Sequence, residues 1–137
     1  CAAGVATLDY LARHQLVERC AQMAPTFHRA LQRLRGLPGV GDVRAHGLLA
    51  GVEFVASPES RAPFPRSEKV AERFARSAQQ AGLIVWPNVG QADGTNGDLA
   101  MLAPPFIITE AEIDELVERF TRALRATFAA AATSSST

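Results

Sequence analysis

Lysine is almost missing from this chain: of its 14 basic side chains, every one except Lys69 is arginine. Chemistry that begins with an amine nucleophile therefore has one candidate. Ser67-Glu68-Lys69 reads as the charged first turn of a helix, a solvated setting, whereas a reactive lysine needs desolvation or a cationic neighbour. Cysteine is nearly as scarce. Cys1 and Cys20 make neither a disulfide framework nor a zinc pattern, which fits a reducing, cytoplasmic compartment. Net charge is absent, with 14 acidic residues against 14 basic ones. No global field draws in nucleic acid or an anionic membrane surface. No apolar run approaches the ~20 residues that span a bilayer, so no membrane partner is expected.

Other absences narrow the chemistry further. His14, His28 and His46 share no ligand spacing and have no nearby cysteine pair, so they read as ordinary surface or helix-end histidines. "DGTNGD", residues 93–98, has the flavour of a calcium loop but lacks the alternating acids, and Pro104 stands where a bidentate Glu is needed. It reads as a turn. No glycine-rich loop ends in Lys-Ser/Thr, and no serine sits in a nucleophile elbow.

What is present is a set of strong local signals. The 137 residues suit one domain. Val5, Leu8, Leu11 and Ala12 share a helical face over 2–13, with a weak break at His14-Gln15. A second stripe runs through Cys20, Met23, Phe27, Leu31 and Leu34; Pro25 inside it is expected to kink the helix or start a new one, and Gly36 is the expected C-cap. Residues 48–55 read as a strand, with Gly47 and Gly51 marking a bulge or close approach. After a Pro-rich loop, Ser67 is the expected cap of a helix carrying Val70, Phe74, Ala78 and Ala81, closed by Gly82.

"LIVWP", 83–87, reads as a short strand stopped by Pro87, and Trp86 as an aromatic plugging the sheet edge. A Gly/Asn/Asp loop from Asn88 to Asp98 leads to the strand 99–102, then to an abrupt corner at Pro104-Pro105. Thr109 and Glu112 form a capping box, with Ile108 and Ile113 as its hydrophobic staple. The final helix turns Ile113, Leu116, Val117, Phe120, Leu124 and Phe128 inward. The order predicts an α/β or α+β domain, a small, mostly antiparallel sheet with helices on one face. Residues 129–137 read as a fraying helix end and a disordered tail.

Taken alone, these residues describe part of an α/β domain with no catalytic set of its own. Cys1 opens an apolar pattern at once, without the polar tether of a lipoprotein, which suggests a fragment whose N-terminal part is missing. Four segments carry a resemblance: "CAAGVATLDYLARHQLVERC", "VRAHGLLAGVEFV", "GLIVWP" and "MLAPPFIITEAEIDELV". In order and wording they resemble the C-terminal part of class III aminotransferases, pyridoxal-phosphate enzymes of the ω-transaminase kind. The last segment is the specific one.

The resemblance implies that residues 1–128 form the small C-terminal domain of a fold-type I enzyme, with 1–35 leading in from a large domain. It implies a homodimer that moves an amino group between an amine or amino acid and a keto acid. The cofactor, its Schiff-base lysine and its phosphate-binding turns belong to the upstream part, so this chain alone is expected to be inactive. Two departures stand out. Arg44-Ala45-His46-Gly47 replaces the family's Arg-Gly-x-Gly, and Pro25 interrupts a helix where none is expected.

Relatives that act on ornithine-like amino acids place a carboxylate-binding arginine where this chain has Met101. Relatives of the amine:pyruvate kind place a movable one where it has Trp86. Neither replacement offers an arginine fork. Substrate contact is expected instead from Trp86 and Met101, and from Asn88, Asp93 and Asn96 in the long loop. The rival account is a free-standing, non-catalytic interaction or regulatory module.

Overall fold

The computed structural model describes the backbone of residues 1–132 and the side chains of residues 1–129. Its elements run α1 (Ala2–Arg13), α2 (Leu16–Gln32), β1 (Val40–His46), β2 (Leu49–Phe54), a 3-10 turn (Arg66–Glu68), α3 (Val70–Gln80), β3 (Trp86–Val89), β4 (Asp98–Leu102) and α4 (Glu110–Ala132). The four strands form one antiparallel sheet in the order β1-β2-β4-β3. One sheet face is covered by α2, α3 and α4. Ala50, Val52 and Phe54 of β2 and Ala100 and Leu102 of β4 turn into that core, against Phe27, Leu31, Phe74, Ile113, Val117 and Phe120. The expected architecture, helices on one face of a small antiparallel sheet, is what forms.

Several local expectations are corrected. A seven-residue strand, β1, precedes β2 and pairs with it, where the sequence suggested one strand over 48–55. Gly47 is the first residue of a two-residue hairpin connection, at φ +57. A side chain is disfavoured there, and glycine is the usual solution. Pro87 does not stop a strand; it lies within β3. That strand is at the sheet edge, where proline's missing N–H costs no ladder bond. α2 continues unbroken through Pro25. Both Pro25 and Ala21, whose carbonyl loses its partner, are exposed, which leaves the freed carbonyl open to solvent.

Ser67 does not cap α3. It sits in the 3-10 turn, Lys69 takes a left-handed conformation at φ 49, and α3 begins at Val70. α4 runs to Ala132, through the stretch read as a fraying helix end; the rest of the expected tail, 133–137, lies outside the described residues. α1 buries none of its residues, and Val5 and Leu8 are exposed.

The Pro-Pro corner is built as its signals predict, with one addition. The Thr109 N–H and hydroxyl donate to the Glu112 carboxylate, both at 2.8 Å, and the Glu112 N–H donates to Thr109 Oγ1. These bonds hold the Glu112 carboxyl below its ordinary range. Ile108 and Ile113 are both buried. The addition is Arg19 of α2, whose guanidinium donates to the carbonyls of Phe106, Ile107 and Ile108 at 3.0–3.1 Å. One side chain thus satisfies three carbonyls that the prolines leave without a ladder, and ties the corner to α2.

Candidate functional site

The sheet has a second face, which no helix among the described residues covers. Cross-strand register places Trp86 of β3 opposite Met101 of β4, and Asn88 opposite Leu99. Met101 in turn faces Gly51 of β2, and Leu99 faces Glu53. Because side chains alternate along a strand, all of these share the face away from the core. Trp86 is 70% exposed there. Its indole covers no core; it stands on an open surface. The Asn88 amide nitrogen lies 3.9 Å from the Met101 sulfur, a loose contact.

Three of the five residues singled out in the sequence, Trp86, Asn88 and Met101, therefore come together on one surface. Asp93 and Asn96 sit apart from them, in the β3–β4 hairpin loop. Asp93 accepts the Thr95 and Asn96 N–H groups and the Asn96 side-chain amide, at 2.7–2.8 Å. These bonds, the Asn96 amide foremost, hold its carboxyl below the ordinary aspartate range. The Asn96 side-chain oxygen accepts the Arg66 N–H at 3.0 Å, pinning the loop to the turn before α3.

A larger concavity, about 700 Å³, lies elsewhere, between the Pro-Pro corner and α4. Its polar side chains are already engaged: Glu112 in the capping box, and Arg119 with the Gly82 carbonyl and Glu115. It lacks the convergent, available polar groups of a ligand site. Two of the three histidines are placed structurally as well. His28 contacts the Gly47 carbonyl at 3.0 Å and His14 packs on Tyr10.

One polar group that the sequence pattern does not mark is Asp98, which reads there as the end of a loop. It begins β4, is 1% exposed, and accepts the Ala71 N–H at 2.8 Å. It thereby caps α3 from 27 residues away, in place of Ser67. Its other carboxylate oxygen has no partner among the described residues. Burial pushes its carboxyl above the ordinary aspartate range, against the pull of the Ala71 N–H and the Arg66 guanidinium. A carboxyl raised by folding contributes stability below its unfolded value, and loses that contribution as pH rises through its folded value. Asp98→Asn keeps an acceptor for Ala71 and removes the ionisation. Its stability relative to the parent chain should therefore improve as pH rises from the ordinary aspartate range upward, measured by denaturant unfolding at a series of pH values. A difference constant with pH would contradict this account.

Lys69 is exposed, before α3 rather than in a pocket. The α3 N-terminus, which would suit a phosphate, is filled by the Asp98 carboxyl, and that of α4 by the Glu112 carboxylate. No group of three metal-ligating side chains occurs among the described residues, and no helix there is long and apolar enough to cross a membrane.

The family model described as aminotransferase class III matches residues 1–124. An uncharacterized aminotransferase of Schizosaccharomyces pombe is 38% identical over 131 residues, which are 95% of this chain and 28% of that protein. The solved adenosylmethionine-8-amino-7-oxononanoate aminotransferase of Methanocaldococcus jannaschii superimposes with a TM-score of 0.79 at 31% identity, over 92% of this chain and 27% of that one. An omega-aminotransferase from Paracoccus denitrificans gives 0.81 at 32% identity, over 94% of this chain and 27% of that one. The chain thus spans about a quarter of the length of the relatives it matches. Matched by the family model along nearly its whole length, the chain belongs to the class III aminotransferases.

Proposed function

We propose that this chain acts as the small C-terminal domain, residues 1–128, of a longer pyridoxal-phosphate-dependent transaminase. The enzyme moves an amino group between a small amine or amino acid and a keto acid, as a cytoplasmic homodimer. The α1 and α2 region leads in from a large domain that holds the cofactor. The helix-free sheet face lines the substrate cleft, with Trp86, Met101 and Asn88 toward the substrate. The hairpin loop carrying Asp93 and Asn96 forms the rim.

The observation that carries this reading is a separation. A 70% exposed tryptophan, in register with Met101, stands on a face that no helix covers. The one lysine is exposed on the other side of the sheet, before a helix that packs into the core. The chain has a surface suited to contacting a substrate and no desolvated amine to hold a cofactor. The free-standing module explains neither the family match nor this surface.

The test is to load the complete enzyme with pyridoxal phosphate, reduce it with borohydride and map the modified lysine. The adduct should fall outside this chain. A stoichiometric adduct on Lys69 would overturn the reading.

A further inference from the structure

An open sheet has two edges, and each is a template for a further strand. The β3 edge is four residues long and contains Pro87, which has no N–H to offer. The β1 edge is seven residues long and carries no proline. Register fixes which of its backbone groups point outward. His46 and Leu49 flank a two-residue connection, so they form a hydrogen-bonded pair. Bonded and non-bonded pairs alternate along an antiparallel ladder. Val43 and Ala45 therefore make no ladder bonds with β2, and turn their N–H and C=O groups to the open edge.

Both outward groups of Val43 are already taken. Its N–H donates to Asp42 Oδ1 at 2.8 Å, and its carbonyl accepts from the Arg35 guanidinium at 2.7 Å. The same guanidinium nitrogen lies 3.0 Å from Asp42 Oδ1, so two side chains close a ring over one residue's backbone. Arg35 reaches there from the turn that follows α2. The second Asp42 oxygen faces the Arg44 guanidinium at 3.5 Å, which holds the carboxylate between two cations. Asp42 thus stands where the carbonyl of an added strand would accept, and Arg35 where its N–H would donate. Towards the start of β1, the register shift between Val40 and Asp42 interrupts the ladder. Among the described residues Ala45 alone then keeps free outward groups on this edge, and one residue is too little to seat a strand.

We propose that Arg35 and Asp42 form an edge guard, which occupies the Val43 backbone and keeps β1 from pairing with the β1 edge of a second copy of this chain. The sheet is thereby held at four strands. The guard stands whether or not the helix-free face lines a cleft.

The test compares three variants of the complete enzyme: Arg35→Met, Arg35→Met with Asp42→Ala, and Arg33→Met. Arg33 pairs with Asp114 of α4 at 2.6 Å, so its variant removes the same charge and leaves the edge guarded. Amine turnover shows which variants have folded. At high dilution, hydrogen exchange resolved to single amides should run about tenfold faster at Val43 in the double variant, with Ala45 unchanged. Sedimentation velocity over a dilution series should show concentration-dependent assembly, beyond the parent's own state, in the double variant. Arg35→Met should show less, and Arg33→Met none. Unchanged exchange at Val43, sedimentation of the double variant identical to the parent's, or equal assembly in Arg33→Met overturns the guard. Should the double variant not fold, Arg35→Met decides alone, since its side chain is half-exposed. Assembly beyond that of Arg33→Met then supports the guard, and sedimentation matching Arg33→Met overturns it.

Discussion

Phe74→Ala should cost about 3–5 kcal/mol of stability, the range for emptying a buried aromatic site. Phe74 is fully buried on α3, and its ring centroid lies 4.8 Å from Phe54 of β2 and 4.6 Å from Phe120 of α4, both in tilted contact. It is the middle ring of three, joining α3 to the sheet below and to α4 beside it. Tilted pairs at these distances are preferred aromatic geometries and add to area burial. Stability of a whole domain is about 5–15 kcal/mol, so the loss is a large share of the total. Denaturant unfolding of the complete enzyme measures it, with Phe74→Leu as a milder variant that retains most of the apolar volume. A cost within experimental error of zero for both variants would mean that α3 does not lock the sheet to α4.

Trp86→Ala should change substrate preference rather than uniformly weaken the enzyme. Trp86 touches no core and is exposed, so its loss has little to destabilise. If its indole meets substrate, an aromatic amine loses both apolar area and ring contact, worth about tenfold in kcat/KM. A small aliphatic amine loses less, because it covers less of the ring. Steady-state kinetics with benzylamine and n-propylamine separates the two. Equal losses for both amines would make Trp86 a docking residue for another part of the polypeptide.

The parts of this structure legible in the sequence are those whose signals are local. The capping box at Thr109 and Glu112, the break before Leu16 and the inward stripe of α4 each occupy a few neighbouring residues, and each forms as expected. The strand β1 was hidden because a register shift between Val40 and Asp42 spoils the alternation that marks a strand. Its hairpin connection, Gly47-Leu48, also lacks the usual Asn-Gly signature. Asp98 as the cap of α3 and Arg19 as the clamp on the corner act across 27 and about 88 residues, which no windowed pattern registers. The candidate site divides in the same way. Trp86 and Met101 stand out by what they replace, whereas their sharing one face with Asn88 becomes visible only once register sets β3 beside β4.

The central claim is that the helix-free face of the sheet meets the substrate. It is tested most directly by placing one thiol on that face, Asn88→Cys, and a control thiol on the helix-covered side, Ser67→Cys. In the complete enzyme, iodoacetamide labelling is followed by mass mapping, which separates these sites from Cys1 and Cys20. A saturating amine donor should slow labelling at position 88 about tenfold or more and leave position 67 unchanged. Equal labelling rates at position 88 with and without the donor, in an enzyme shown to turn that donor over, would contradict the account.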